Sequence, residues 1–206
     1  AVIDVMKSTR IRRGAVTNDY ERLIEQKLNV KHAIAVTSGT TTLHIALAAM
    51  GIGPGDEVIV TPYTFIASDT CVTEQNAIPI FADVDPVTLC LDPEDVLRKV
   101  TKRTKAIIPV SITGTPINIE PIMDIAEKYN LFVLEDSAQS LGAKYRGRYE
   151  GKYVGTVGHV GSFSTVTGKI LSTGEGGFVV TDDDDLYEKM WGYMDFGRKK
   201  SQGPAS

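Results

Sequence analysis

Lys169 lies where an amine can do chemistry. It sits near the middle of Thr165 to Gly176, a stretch rich in Gly, Ser and Thr. This stretch joins an apolar run ending at Ser164 to another, Phe178-Val-Val-Thr181. A lysine held there can act as a nucleophile or carry a proton, although most loop lysines are solvated surface charges. Asp136 ends a third apolar run, Leu131-Phe-Val-Leu-Glu135, and Ser137, Ala138 and Gln139 follow it. A carboxylate at a strand end either meets a ligand or caps a helix. Adjacent strand residues point to opposite faces, so Glu135 and Asp136 cannot serve one site equally, and Asp136 is the better placed. Ser38-Gly39-Thr40-Thr41 opens a helical stretch, where free N–H groups, the helix dipole and small hydroxyls suit a phosphate. The same residues also suit an ordinary strand-to-helix turn with a capping Ser or Thr. They lack the Lys of a Walker A loop and the spacing of a dinucleotide fingerprint. Pro62-Tyr63-Thr64-Phe65 brings an aromatic ring that either stacks on a planar ligand or belongs to the core.

The elements that must position these groups read as alternating short strands and helices. Thr17 or Asn18 caps a helix through about Leu28, with Tyr20, Leu23, Ile24 and Leu28 as its apolar stripe. Expected strands are Ala33–Val36, Glu57–Val60, Pro79–Asp83, Ala106–Val110, Leu131–Glu135, Ser162–Ser164 and Phe178–Thr181. The intervening helices run to Met50 with Gly51 as the stop, from Phe65 to Gln75, from Asp92-Pro93, and from near Asn118. This pattern predicts an α/β fold of three layers, α/β/α, around a mostly parallel seven-stranded sheet. The Thr165–Gly176 gap has no helical pattern for a parallel crossover, so the last strand is expected antiparallel. Residues 1 to about 30 form an N-terminal helical segment, about 31–196 the α/β core, and 197–206 a frayed end.

Composition narrows the function. The chain has 206 residues, 42% of them hydrophobic, enough to bury one large core or two small ones. Its net charge of -4, with Lys and Arg scattered, gives no nucleic-acid footprint, and no apolar run reaches membrane-spanning length. Cys71 and Cys90 make neither a disulfide framework nor a metal spacing, which suits a reducing cytoplasm. Asp182 to Asp185 read as the cap and first-turn acids of a final helix. His44 is expected against the sheet, and His32 and His159 fall in loops without metal-ligand spacing, so no metal is expected.

Ligands of open α/β sheets bind beyond the carboxyl ends of the strands. There the chain delivers a phosphate-binding turn, an aromatic plate, a carboxylate and a lysine. Pyridoxal 5'-phosphate requires these four: the lysine supplies a Schiff base, and the carboxylate keeps the pyridine nitrogen protonated. Other cofactors would leave one of the four idle.

The chain also resembles a known family, the DegT/StrS sugar aminotransferases, which are fold-type-I pyridoxal phosphate enzymes. The matching stretches are Ala35-Val-Thr-Ser-Gly-Thr-Thr-Thr-Leu-His44, Pro62-Tyr-Thr-Phe-Ile-Ala67, Leu134-Glu-Asp-Ser-Ala-Gln139 and Ser162-Phe-Ser through Lys169 to Gly177. The resemblance implies that Lys169 carries the cofactor, Asp136 pairs with the pyridine nitrogen, and Gln139 approaches the ring hydroxyl. Phe65 then stacks on one ring face with Ala138 behind the other. Gly39, Thr40 and Ser164 hold the phosphate, with Thr41 beside them in the same turn. It implies transfer of an amino group from glutamate to a keto group of a nucleotide-linked sugar, by a homodimer. Thr165 stands where the family commonly has an aromatic residue, and Ser111 where it often has His. The family continues into a smaller C-terminal domain, which is expected to be absent from this chain, with Trp191 covering surface that such a domain would bury. The alternatives are a non-catalytic protein that binds or regulates through this fold, a truncated fragment, or another pyridoxal phosphate reaction.

Overall fold

The structure is a computed structural model, and it describes residues 2–9 and 11–200. Seven strands form one sheet: β1 (His32–Val36), β2 (Glu57–Val60), β3 (Ile78–Phe81), β4 (Thr104–Ile107), β5 (Phe132–Asp136), β6 (Val160–Ser164) and β7 (Gly177–Thr181). The helices are α1 (Val2–Lys7), α2 (Ala15–Leu28), α3 (Gly39–Ala49), α4 (Ala67–Glu74), α5 (Pro93–Lys99), α6 (Ile119–Tyr129) and α7 (Asp184–Met194). The strand order is β1-β7-β6-β5-β4-β2-β3, and only β7 runs against its neighbours, β1 and β6. The antiparallel return after the lysine loop is therefore as expected. None of the helices among the described residues is long and apolar enough to cross a membrane.

Strand alternation sorts the core into layers, because successive side chains face opposite ways. Val58, Val60, Ala106, Ile108 and Leu134 pack with α3, α4 and α7 on one face. Ile59, Ile107 and Val133 pack with α5 and α6 on the other. Ala33, Phe163, Phe178 and Val180 meet α2, where the Phe163 and Phe178 rings stack at 4.6 Å.

Local chemistry sets the ends of these elements. Asp92 caps α5 by accepting from Glu94 N at 2.9 Å, with Pro93 in the first turn. Asp183 caps α7 by accepting from Asp185 N and Leu186 N, so the acidic run is a helix start as expected. α2 begins at Ala15, earlier than a Thr17 or Asn18 cap allows: Asn18 N already bonds Gly14 O at 3.0 Å, and Arg13 pairs with Glu21. β3 stops at Phe81, and Asp83 N bonds Asp95 Oδ2 at 2.7 Å instead. β4 stops at Ile107, just short of Pro109, which has no N–H for the ladder. The edge strand β1 is covered by side chains: Glu21 accepts from Ala35 N at 2.7 Å, Glu25 from Ala33 N at 3.1 Å. Such capture blunts an open sheet edge.

Several polar residues sit otherwise than expected. His44 faces α4 rather than the sheet, with Nδ1 3.1 Å from Glu74 Oε2. His32 opens β1 rather than lying in a loop; it stacks on Tyr187 and bonds Asp184 at 2.7 Å. Trp191 is already buried, between the guanidinium of Arg13 and the ammonium of Lys200. Of the expected frayed end, Lys200 is held on the Tyr187 hydroxyl, and residues 201–206 lie outside the described residues.

His159 gives the fold a pH dependence. Its Nδ1 accepts from Val133 N at 3.0 Å, so the ring must be neutral there, and burial holds its pKa below the usual histidine value. The unfolded chain therefore takes up this proton first as pH falls. The contribution is full above about pH 6.5 and is lost as pH drops through the lower folded value. In urea unfolding between about pH 7 and 5, a His159→Gln variant is expected to lose less stability than the parent chain; equal losses would exclude His159 as the source.

Candidate active site

The β1–α3 junction builds a tight turn. Ser38 is extended and caps α3, its Oγ accepting from Thr41 N at 3.1 Å, so this stretch does form a helix cap. Thr41 Oγ1 joins the cap, 2.9 Å from Ser38 Oγ. The N–H groups of Gly39 and Thr40 then stand in the first helical turn, where no intrahelical acceptor exists. One residue on, Thr42 Oγ1 lies 2.5 Å from Ser162 Oγ and fastens α3 to β6. Gly39 is required by close approach: a Cβ there would fall 2.7 Å from Ser164 Cβ and 3.3 Å from Ser164 Cα. Gly39→Ala is expected to cost about 1–3 kcal/mol by overpacking, read as a lower midpoint in thermal unfolding. An unchanged midpoint would mean that the turn and β6 can separate freely.

Asp136 is the end of β5 and is only 6% exposed. Its Oδ2 accepts from Ser68 Oγ at 2.7 Å and its Oδ1 from Ala138 N at 3.1 Å. No α-helix follows, so the carboxylate caps a turn and not a helix. Burial pushes this carboxyl up, against those two hydrogen bonds and the charge of Lys169, which favour the ionised form. Lys169 thus comes within electrostatic reach of Asp136.

The loop holding Lys169 is pinned by its own backbone. Thr165 N bonds Gly176 O at 2.9 Å, Thr167 N bonds Gly174 O at 2.8 Å, and Lys169 N bonds Val166 O at 3.0 Å. Thr165 is buried with its Oγ1 2.8 Å from Thr173 Oγ1. Gln139 Oε1 accepts from Thr113 N at 2.9 Å, which leaves its amide N–H groups to donate elsewhere. Phe65 is 66% exposed, in the turn before α4 rather than within the helix, and so is not a core residue.

Glu135 points to the opposite face, as strand alternation requires. It is buried and accepts from Tyr145 Oη at 2.5 Å, Gly155 N at 2.8 Å, Val157 N at 2.7 Å and Gly158 N at 2.5 Å. Those four donors fix the loop behind β5 and thereby the strand end that carries Asp136. Ser68 and Thr113 are the site's neighbours that the linear reading missed. Ser68 had a signal, lying one helical turn beyond Thr64, to which it bonds at 2.8 Å. Thr113 had none, since its left-handed φ of 52° is not a threonine preference.

Known proteins share this fold. The chain is 46% identical over 190 residues to the GDP-perosamine synthase of Caulobacter vibrioides, covering 92% of this chain and 50% of that protein. The solved aminotransferase from Psychrobacter cryohalolentis superposes with a TM-score of 0.93 at 40% identity, over 100% of this chain and 52% of that one. NtdA from Bacillus subtilis, solved with bound pyridoxamine phosphate, superposes with a TM-score of 0.85 at 30% identity, over 93% of this chain and 42% of that one. The chain thus spans about half the length of the curated relatives it matches. Residues 1–205 match one family description throughout, and the chain belongs to the DegT/DnrJ/EryC1/StrS aminotransferase family.

Proposed function

We propose that this chain is the cofactor-binding large domain of a pyridoxal 5'-phosphate-dependent sugar aminotransferase, with the α/β core at about residues 31–196 as the binding unit. The observation that carries the reading is the buried Asp136 carboxylate, locked by Ser68 and Ala138, with Lys169 within electrostatic reach. The donor set fits the cofactor. Two free N–H groups at a helix start and the Ser164 hydroxyl suit its phosphate, and Asp136 suits a protonated ring nitrogen. The bound pyridoxamine phosphate of NtdA supports the same assignment.

When bound, pyridoxal phosphate supplies an electron-accepting ring and a carbonyl carbon that carries an amino group. The chain's residues do the rest. Gly39 N and Thr40 N, with Ser164 Oγ and Thr41 beside them, hold the phosphate. Asp136 would keep a proton on the pyridine nitrogen; its hydrogen bonds from Ser68 Oγ and Ala138 N stop the carboxylate from turning away. Gln139 donates to the ring hydroxyl, while Phe65 covers one ring face with Ala138 behind the other. Lys169 Nζ would hold the cofactor and, once an incoming amino donor has displaced it, would be the free amine that carries the proton.

Glutamate is the proposed donor and a nucleotide-linked keto-sugar the acceptor. The second is supported by the 46% identity to a GDP-perosamine synthase. A homodimer is supported by exposed apolar groups around the strand ends, Tyr63, Phe65, Ile66 and Ile170. A cytoplasmic setting is supported by Cys71 and Cys90, both buried and free. Absorbance spectra test the reading directly. Adding pyridoxal phosphate should produce a visible band that borohydride erases, glutamate should bleach it, and one member of a keto-sugar panel should restore it. A cofactor that leaves no lysine-bound chromophore would overturn the proposal.

A further inference from the structure

The turn that delivers Ser68 to Asp136 also brings a second carboxyl group. Asp69 follows Ser68 in the first turn of α4, and its Oδ1 is sealed from solvent with no hydrogen-bond partner. Buried polar oxygens are nearly always paired, so an orphan beside a buried carboxylate is a costly arrangement that packing alone does not require. Two residues on, Cys71 is fully buried and feels the negative charge of both Asp69 and Asp136. The surroundings offer Asp69 little relief. On α4 the other acid is Glu74, which is paired with His44 of α3. β2 contributes only Glu57, bound to Thr101 and Arg103. β3, Ile78–Phe81, has no titratable side chain, and Lys169 reaches the cluster from the Asp136 side.

We propose that Asp69 is a positioning residue for the cofactor site, a second carboxyl behind Asp136 that adds negative charge where a protonated pyridine nitrogen must be held. This rests on the function proposed above. Desolvation first, and then the charge of Asp136, push the Asp69 carboxyl up to about 6. Below that pH the group is neutral and does not repel Asp136. Above it Asp69 adds its own negative charge near Asp136, and a bound ring cation offsets that charge. Retention of a ring cation should therefore gain an increment as pH rises through about 6, and the part of it lost in Asp69→Asn is the share of Asp69.

Pyridoxamine 5'-phosphate is the suitable probe, because it binds without joining Lys169. Its dissociation constant is measured for the full chain, Asp69→Asn and Asp69→Glu from about pH 5 to about pH 7.5. The parent chain should outbind Asp69→Asn by about tenfold at the upper end and by little at the lower, one pKa unit corresponding to that factor. Asp69→Glu should restore the pH-dependent gap in part. Carboxyl carbon NMR of the free chain should show one aspartate titrating near 6 that is lost in Asp69→Asn. Parallel pH profiles in all three proteins, or no such resonance, would overturn the Asp69 assignment while leaving the cofactor reading intact. If the probe binds none of them, both readings fall together.

Discussion

Lys169→Ala is expected to leave a folded chain with turnover reduced by about 10⁴-fold, near the upper end of what a positioned acid–base group contributes. The loop is shaped by backbone bonds at Thr165, Thr167, Lys169 and Thr173, none of which uses the lysine side chain. Thermal unfolding should therefore shift little, within about 0.5 kcal/mol. On the proposed function chemistry should suffer, because Lys169 is the lysine whose charge acts on Asp136 among the described residues. Borohydride trapping with pyridoxal phosphate, followed by peptide mapping, should label Lys169 alone in the parent chain and nothing specific in the variant. A label on Lys144 or Lys152, or turnover within tenfold of the parent, would remove Lys169 from its role.

Asp136, Ser164 and the Ser38–Thr41 turn were readable because each ends or starts a recognisable element. Asp136 and Ser164 terminate β5 and β6, and Ser38 to Thr41 start α3. Apolar runs and turn residues locate such ends within a residue or two, and a parallel sheet gathers them at one edge. What stayed hidden depends on contacts between distant segments. Glu135 gathers donors from residues 145 to 158, a stretch with no periodic pattern to announce it. The Ser68–Asp136 bond joins residues 68 apart in the chain. Trp191 is buried in the core cluster, with Arg13 and Lys200 also on its ring, contacts that no helical spacing announces. Helix starts such as Gly14 escaped because a tertiary ion pair outweighs side-chain capping preference.

Asp136→Asn separates holding the cofactor from using it. The amide can keep both contacts: its oxygen still accepts from Ala138 N, and its NH2 can donate to Ser68 Oγ, which accepts as readily as it donates. The variant should therefore fold. Its stability should even rise near neutral pH, because the folded environment disfavours the charged carboxylate. With the folded pKa above the unfolded one, the parent loses stability as pH climbs past about 3.9, the ordinary aspartate value, and through the folded value. Asparagine has no such loss, so the two unfolding curves should coincide in acid and diverge as pH rises. Turnover moves the other way. On the proposed function, the ring nitrogen would lose the negative charge that holds its proton, so the rate should fall by about 10³-fold, as when a preorganised electrostatic group is deleted. A more stable but nearly inactive variant is the expected signature of a charge kept buried for function. An Asp136→Asn chain that is less stable at neutral pH, or that turns over at the parent rate, would show that this carboxylate serves the fold and not the reaction.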